Sequence, residues 1–231
     1  MRIIALVVCL FSLQAHAQFK SESEASSVVV SGNTNSEAYS LRSKNSYTLE
    51  SNVFGAFGRY LQSRANGVEN ARSCEAGATY ERILSAHISG VIGHKAESDT
   101  YAGYIQRDSS DLGGKYYFIK EDANLWFAEA GYRYTKTLDN NNNTSHANFG
   151  RLYSEYSQNL SESLSYKVWA EYLPNFTENE AYLANAEPSL TVLLNSVFSL
   201  KLAYLVKYQN KPANSGKRVD TVSTTSIVAK F

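Results

Sequence analysis

Three polar residues that lie close together in the sequence could support acyl hydrolysis. His94 could act as the general base for a serine nucleophile, and Ser98 and Asp99 follow it closely. A hydrolase of this kind needs a serine hydroxyl that is hydrogen-bonded to a histidine. These residues also stand where a strand is expected to end, and polar residues collect at such ends without any catalytic role. We therefore interpret the chain as a protein without catalytic residues, and a hydrolase built around His94 stays open as an alternative.

Two other kinds of chemistry find little support in the sequence. The spacing of His87, His94 and His146 is not that of a metal site, so no metal ion is expected. The segment Gly113-Gly114-Lys115 lies within an expected strand and lacks the rest of a phosphate-binding loop, so no cofactor is expected. The formal net charge is zero at pH 7, which gives no reason to expect a nucleic-acid partner.

The main candidate functional set consists of charged residues that share one face of the expected strands. Charges enclosed by a barrel must be paired or hydrated, because an isolated charge in a medium of low dielectric constant is costly. They could form ladders of ion pairs that brace the interior, or line a narrow aqueous pore in which an excess of cations favours anions. The cations are Arg42, Lys44, Arg59, Lys115, Arg133, Arg151, Lys167, Lys201 and Lys207, and the carboxylates are Glu75, Glu81, Glu129, Glu155, Glu171 and Glu187.

The elements that would position these charges are β-strands in which polar and apolar residues alternate. The period of two is clearest in segment 164–172, where Tyr166 lies on one face and Lys167 on the other, and segments 126–134 and 198–208 alternate in the same way. The composition of 17 Tyr and 10 Phe with only 3 Pro also favours strands. Soluble sheets alternate too, so a soluble all-β binding protein stays open on this evidence alone.

Twelve strands can be placed along the chain, and the connections between them alternate in length. Connections after even-numbered strands are short, as at 50–51 and 160–162, whereas most connections after odd-numbered strands are longer, as at 139–146 and 210–218. This alternation and the even number of strands are typical of transmembrane barrels of the bacterial outer membrane. The expected strands are 19–31, 36–49, 52–64, 71–82, 85–95, 100–118, 124–138, 147–159, 163–174, 180–193, 196–209 and 219–231.

The two ends of the sequence carry features of an exported membrane protein. Residues 1–17 contain a positive residue, an apolar stretch and the small-residue motif Ala15-His16-Ala17, as expected for a cleavable signal peptide. Residues 18–231 would then form one outer-membrane barrel in contact with outer-membrane lipid. The last expected strand resembles the C-terminal signal that the barrel-assembly machinery recognises, with three residues in phase: Ile227, Ala229 and Phe231.

Four segments carry a resemblance to a known family. They are Ser31-Gly32-Asn33-Thr34-Asn35, the run Ala130-Gly131-Tyr132-Arg133-Tyr134-Thr135-Lys136, the run Phe198-Ser199-Leu200-Lys201-Leu202-Ala203-Tyr204, and Lys211-Pro212 followed by Gly216-Lys217 and Asp220-Thr221. These segments resemble the YdiY-like salt-induced outer-membrane protein family, across nearly the whole mature chain. The resemblance implies an outer-membrane barrel and supplies no catalytic residues, because the function of that family is not characterised.

The sequence therefore predicts an all-β protein, a transmembrane antiparallel up-and-down barrel of twelve strands, as a monomer. It predicts either a structural envelope protein or a narrow passive pore with a mild preference for anions. An outer-membrane hydrolase and a soluble periplasmic all-β binding protein stay open as alternatives. Cys74 is expected to face lipid, as are six tyrosines: Tyr132, Tyr134, Tyr166, Tyr172, Tyr204 and Tyr208.

The turn at 160–162 gives a specific prediction about strand register. A three-residue turn would place Glu155 directly opposite Lys167, and Arg151 directly opposite Glu171. Cross-strand pairs of opposite charge stabilise an antiparallel sheet by roughly 0.2–1 kcal/mol each. We therefore expect both ion pairs to lie on the inner face of the barrel.

Overall fold

The computed structural model of the chain describes residues 17–30, 36–178, 180–211 and 217–230, which form a closed barrel of twelve antiparallel strands. Each strand pairs with its neighbours in the sequence, and β1 pairs with β12, so the predicted up-and-down barrel is confirmed. The strands are β1 (Ala17–Val30), β2 (Ser36–Leu49), β3 (Asn52–Ala65), β4 (Val68–Ile83), β5 (Ile88–Asp99), β6 (Tyr104–Lys120), β7 (Asn124–Asp139), β8 (Thr144–Asn159), β9 (Leu164–Pro174), β10 (Tyr182–Leu193), β11 (Phe198–Gln209) and β12 (Val219–Lys230).

The side chains of the barrel are arranged with charges inside and apolar groups outside. Along β11, Lys201 is buried whereas the next residue, Leu202, is half exposed. Arg133 and Glu187 are also buried, and Leu112 on the outer surface is 63% exposed. This is the reverse of a soluble protein, in which large apolar side chains are buried and charged side chains face water. The outer surface therefore fits a hydrocarbon environment, which argues against a soluble periplasmic protein.

Tyrosine side chains that were predicted to face outward are found on the outer face of the barrel. Tyr132, Tyr134, Tyr172 and Tyr204 are exposed, as expected for tyrosines near the two membrane boundaries. Cys74 is a free thiol with an exposed side chain in β4. Within the described ranges, no helix has the length and apolar character required to cross a bilayer.

Two connections at the end of the barrel away from Ala17 are shorter than the sequence suggested. The expected loop at 65–70 is a two-residue turn, in which Asn66 and Gly67 have φ angles of 52° and 80°. Asn-Gly is the sequence that favours this tight hairpin turn, because both residues tolerate positive φ. The expected loop at 139–146 is shorter too, since β7 extends to Asp139 and β8 begins at Thr144.

Three turns at the other end of the barrel share a sequence pattern. Each begins with Leu followed by Ser or Asn, at Leu84-Ser85, Leu160-Ser161 and Leu194-Asn195. In each, the side-chain oxygen of the Ser or Asn accepts hydrogen bonds from backbone N–H groups two and three residues later. Each turn contains four residues, whereas two or three were expected.

The longer turn shifts the register between β8 and β9, so the predicted register is wrong. Glu155 lies directly opposite Trp169, and Tyr153 lies directly opposite Glu171. The side chain of Lys167 nevertheless reaches Glu155 diagonally, with Nζ 2.9 Å from Oε1. Because the shift is two residues, every side chain keeps its face of the sheet.

Some predicted features lie outside the described residues. They include positions 1–16 of the predicted signal peptide, the Ser-Gly-Asn-Thr-Asn segment at 31–35, residues 212–216, and Phe231 of the predicted assembly signal. Within the described part, Ile227 and Ala229 follow the outward phase of β12, because Ile227 is exposed and Val228 between them is buried.

Candidate functional site

A continuous chain of ion pairs follows the inner wall of the barrel from β4 to β9. Nζ of Lys115 lies 2.7 Å from Oε2 of Glu81 and 3.0 Å from Oε1 of Glu129. Arg151 extends the chain, with Nη1 2.6 Å from Oε2 of Glu129 and Nε 2.8 Å from Oε1 of Glu171. These five charges come from β4, β6, β7, β8 and β9, so the network links five of the strands.

Arg133 joins the network at its far end. Its Nη2 lies 3.1 Å from Glu171, and its guanidinium makes a bidentate contact with Asp111 at 2.6 and 2.8 Å. Bidentate Arg–carboxylate pairs are among the strongest charge-assisted hydrogen bonds. Asp111 was not among the predicted inner charges, although it has the same phase along β6 as Lys115.

A second network joins the first two strands to the last part of the barrel. Nζ of Lys201 lies 2.6 Å from Glu24, and Nη1 of Arg42 lies 3.4 Å from Glu187 and 3.9 Å from Glu24. Glu24 was missed because the inner face was assigned from β2 onward. β12 lies between β1 and β11 and contributes no charge to this network. The ion pairs therefore reach across β12 and support the closure of the barrel.

Smaller clusters of ion pairs also lie on the inner wall, and one of them joins Lys230 of β12 to Glu22 of β1 at 3.3 Å. Glu97 contacts Lys95 at 2.8 Å and Arg107 at 3.5 Å, and none of these three residues was predicted. The feature of the sequence that identifies them as inner charges is the phase that they share with the inward residues of β5 and β6. Glu155 pairs with Lys167 and also accepts a hydrogen bond of 2.7 Å from the hydroxyl of Tyr153.

Four charges of the predicted set do not take part in these networks. Within the described part of the chain, Lys44, Arg59, Lys207 and Glu75 make no ion pair at contact distance. Lys44 and Lys207 have exposed side chains, although both lie in phase with inward residues of their strands. Arg59 stands directly opposite Arg42 on β2 and opposite Glu75 on β4. Among these four charges, three are cations and one is a carboxylate. Lys20 of β1, Asp99 of β5 and Asp220 of β12 share the inward phase of their strands and also make no ion pair in the described part of the chain.

The interior beside the second network contains a small cavity. It has a volume of about 20 Å³ and is lined by Glu24, Arg42, Arg59 and Glu187, together with residues of β11 and β12. A cavity of this size holds about one water molecule. Lys201 and Glu187 in this network are buried, so the side chains around the cavity are closely packed.

Comparison with known proteins identifies the family of the chain. A family model described as a protein of unknown function, DUF481, matches residues 23–231. The chain belongs to the DUF481 family. No curated protein sequence matches it.

Solved structures show that this DUF481 barrel shares its fold with outer-membrane proteins. The NanC porin matches with a TM-score of 0.51 and 10% identity, over 92% of this chain and 98% of the porin. The translocator domain of the autotransporter NalP from Neisseria meningitidis matches with a TM-score of 0.50 and 12% identity, over 93% of this chain and 88% of that domain. At such low identities the similarity shows the fold alone.

The residues considered for acyl hydrolysis do not assemble in the DUF481 barrel. Nδ1 of His94 lies 2.9 Å from the hydroxyl of Ser110 on β6. The carboxylate of Asp99 instead accepts a hydrogen bond of 2.9 Å from the backbone N–H of Ala102. In the described ranges, His94, Ser98 and Asp99 share no hydrogen bond. The His94–Ser110 pair lies on the outer face, away from the charged interior.

The remaining candidate groups have structural partners. Nδ1 of His87 lies 2.9 Å from the backbone oxygen of Tyr117, and His146 contacts the hydroxyl of Tyr134 at 2.6 Å. Among the described residues, no group of three or more His, Cys, Asp or Glu side chains could hold a metal ion. Gly113-Gly114-Lys115 lies within β6, as predicted.

Proposed function

We propose that this protein is an outer-membrane barrel with a narrow, water-filled lumen that passes small ions passively, with a mild preference for anions. The observation that carries the proposal is the excess of unpaired cations on the inner wall. In the described part of the chain, four cations with inward phase make no ion pair, Lys20, Lys44, Arg59 and Lys207, and three carboxylates with inward phase make none, Glu75, Asp99 and Asp220. The fold shared with the NanC porin agrees with this proposal.

The preference for anions rests on these unpaired charges and not on the total charge. To the paired inner charges the structure adds the cations Lys95, Arg107 and Lys230 and the carboxylates Glu22, Glu24, Glu97 and Asp111. The complete set is therefore close to balanced. Paired charges largely cancel each other's field, so the unpaired cations dominate the potential that a permeating ion experiences.

Single-channel recording in planar bilayers tests the proposal. With a gradient of KCl across the bilayer, the reversal potential should have the sign that indicates selectivity for anions. Exchange of Lys44 and Lys207 for Gln should shift this potential towards cation selectivity. Lys211→Gln is the control, because Lys211 is paired with Glu178 and Glu180 at the far rim. A conductance with the selectivity of a cation channel would contradict the anion preference.

A structural envelope protein is the second candidate, and the filled interior favours it. The ion-pair chain from Glu81 to Asp111 and the cavity of about 20 Å³ leave little open space at their levels of the barrel. If this candidate is correct, the folded barrel should show no conductance above that of protein-free bilayers. The same recordings therefore distinguish the two functions.

We also propose that residues 1–17 direct export, that the barrel-assembly machinery inserts the barrel into the outer membrane, and that the protein is not an enzyme. Within DUF481, we propose a relationship to the YdiY-like salt-induced proteins, on the segments quoted above. Fractionation tests the location, since the barrel should stay with outer membranes after a carbonate wash. N-terminal sequencing of the mature protein should give Gln18 as the first residue.

A further inference from the structure

Uncharged polar side chains interrupt the apolar outer surface on three adjacent strands. Elsewhere this surface carries large apolar residues such as Phe54, Leu112 and Leu152. On β12, β1 and β2, eight outward positions instead carry hydroxyl or amide groups, and we call this set the hydroxyl face. Its members are Ser21, Ser23, Ser27, Ser43, Asn45, Thr221, Ser223 and Thr225.

The hydroxyl face lies at the depth of the membrane and not at its edge. Along β2, exposed Tyr47 lies on one side of Ser43 and Asn45, and exposed Leu41 lies on the other. On β12, Ser223 is directly opposite Tyr204 of β11, whose side chain is exposed among apolar neighbours. The polar groups are therefore bounded by residues that belong to the apolar belt.

Only part of the hydroxyl face satisfies its own hydrogen bonds. The hydroxyl of Ser21 donates to Oδ1 of Asn45 at 2.8 Å, and Nδ2 of Asn45 donates to the hydroxyl of Ser43 at 3.1 Å. Among the described residues, the hydroxyls of Ser223 and Thr225 have no hydrogen-bond partner. Lipid chains offer none, so these groups are costly when they face hydrocarbon.

The same face contains the least extensive strand pairing of the described barrel. β1 and β12 pair from Glu22 with Lys230 to Ala25 with Ile227. In contrast, β11 and β12 pair along nearly all of their length. Beyond Ala25, the facing edges of β1 and β12 have no cross-strand pairs in the described ranges. Backbone groups in this part of the seam therefore need other partners when they lie in a membrane.

We propose that the hydroxyl face is the surface on which a second copy of this chain docks within the membrane. Hydroxyl and amide groups both donate and accept hydrogen bonds, so two copies of the same face can satisfy each other about a two-fold axis. The face carries no formal charge, so self-association meets no electrostatic repulsion. A strongly charged partner would find no counter-charge there. The proposal replaces the monomer expected from the sequence.

Cysteine cross-linking in native membranes tests the interface directly. The background is Cys74→Ala, which removes the exposed thiol of β4. In that background, Ser23→Cys should give a disulfide-linked dimer as the main product of oxidation. Leu112→Cys is the matched control, because Leu112 is exposed on β6, on the opposite side of the barrel. Equal cross-linking at both positions would indicate random collision and would overturn the proposal.

A second measurement separates the interface from effects on folding. The mass of the purified barrel in lipid nanodiscs should be that of two chains. The double variant Ser223→Leu, Thr225→Leu should have the mass of one chain, because its outer face is then compatible with lipid. Heat-dependent migration in SDS gels shows that the barrel of this variant is folded. A monomeric wild-type barrel, or a double variant that stays dimeric, would contradict the proposal.

Discussion

Nε of Arg151 lies 2.8 Å from Oε1 of Glu171, and the same carboxylate oxygen also accepts a hydrogen bond from Arg133. Arg151 contacts Glu129 as well, and its side chain is 16% exposed. Loss of Arg151 would therefore leave two largely enclosed carboxylates with fewer partners. In such sites most of the cost comes from the charges that remain without compensation, and the lost attraction contributes less.

Arg151→Gln should lower the free energy of unfolding by about 3 kcal/mol. Lys211→Gln is the control, because Lys211 and its partners Glu178 and Glu180 all have exposed side chains. Its loss should cost roughly 0–1 kcal/mol, as for a solvated pair. Urea titration of the barrel in phospholipid vesicles measures both values. Similar losses for the two variants would show that the network is hydrated throughout and contributes little to stability.

Gly113→Ala should destabilise the barrel, whereas Gly114→Ala should not. A Cβ atom at Gly113 would lie 2.6 Å from the backbone oxygen of Ala130, which cannot move without disturbing the pairing of β6 with β7. A Cβ atom at Gly114 would meet its nearest neighbour at 4.0 Å. Overpacking of this kind typically costs about 1–3 kcal/mol. The difference between the two variants in urea titration checks the prediction, and equal stability would refute it.

The fold could be predicted because its determinants are local. Alternation with a period of two fixes which face each residue occupies, and it is visible along β11, where Ser199 and Lys201 are buried and Leu202 and Tyr204 are exposed. Turn lengths were less accessible, because they depend on hydrogen bonds made by single side chains. In this sequence, the signals for turn length are the Asn66-Gly67 pair and the repeated Leu-Ser or Leu-Asn start of three turns.

The inner charges illustrate what sequence reasoning does and does not supply. Phase along the strand was sufficient to propose Arg133, Arg151 and Glu171 as inner charges, and the structure brings these three into one network. Contacts between strands could not be derived in the same way, since a shift of two residues keeps the phase and changes every partner. Lys167 reaches Glu155 from a diagonal position, because its long side chain tolerates that shift.

Asn195→Ala should weaken the turn between β10 and β11. Oδ1 of Asn195 accepts hydrogen bonds from the backbone N–H groups of Val197 and Phe198, both at 2.9 Å. Hydrogen bonds of this type contribute about 0.5–1.5 kcal/mol each, and the site is exposed, so a total loss of about 1 kcal/mol is expected. Asn195→Asp keeps the acceptor and should retain most of the stability. If both variants lose the same amount, the side-chain hydrogen bonds do not stabilise the turn.

The turn between β7 and β8 should lose order in acid, because its hydrogen bonds depend on the carboxylate of Asp139. Hydrogen bonds from the backbone and side chain of Asn143, with one from the backbone of Asn141, hold the pKa of Asp139 below its ordinary value. Because the pKa of Asp139 is lower in the folded state, the stabilisation that its carboxylate provides is complete at neutral pH. It is lost as the pH falls from the ordinary pKa of 3.8 through the lower pKa of the folded protein. Amide hydrogen exchange at Asn141 and Asn143 measures this, with protection expected to fall across that range. Asp139→Asn keeps an acceptor oxygen but no titrating group, so its protection should not vary there. Protection that falls equally in wild type and variant would assign the change to another group.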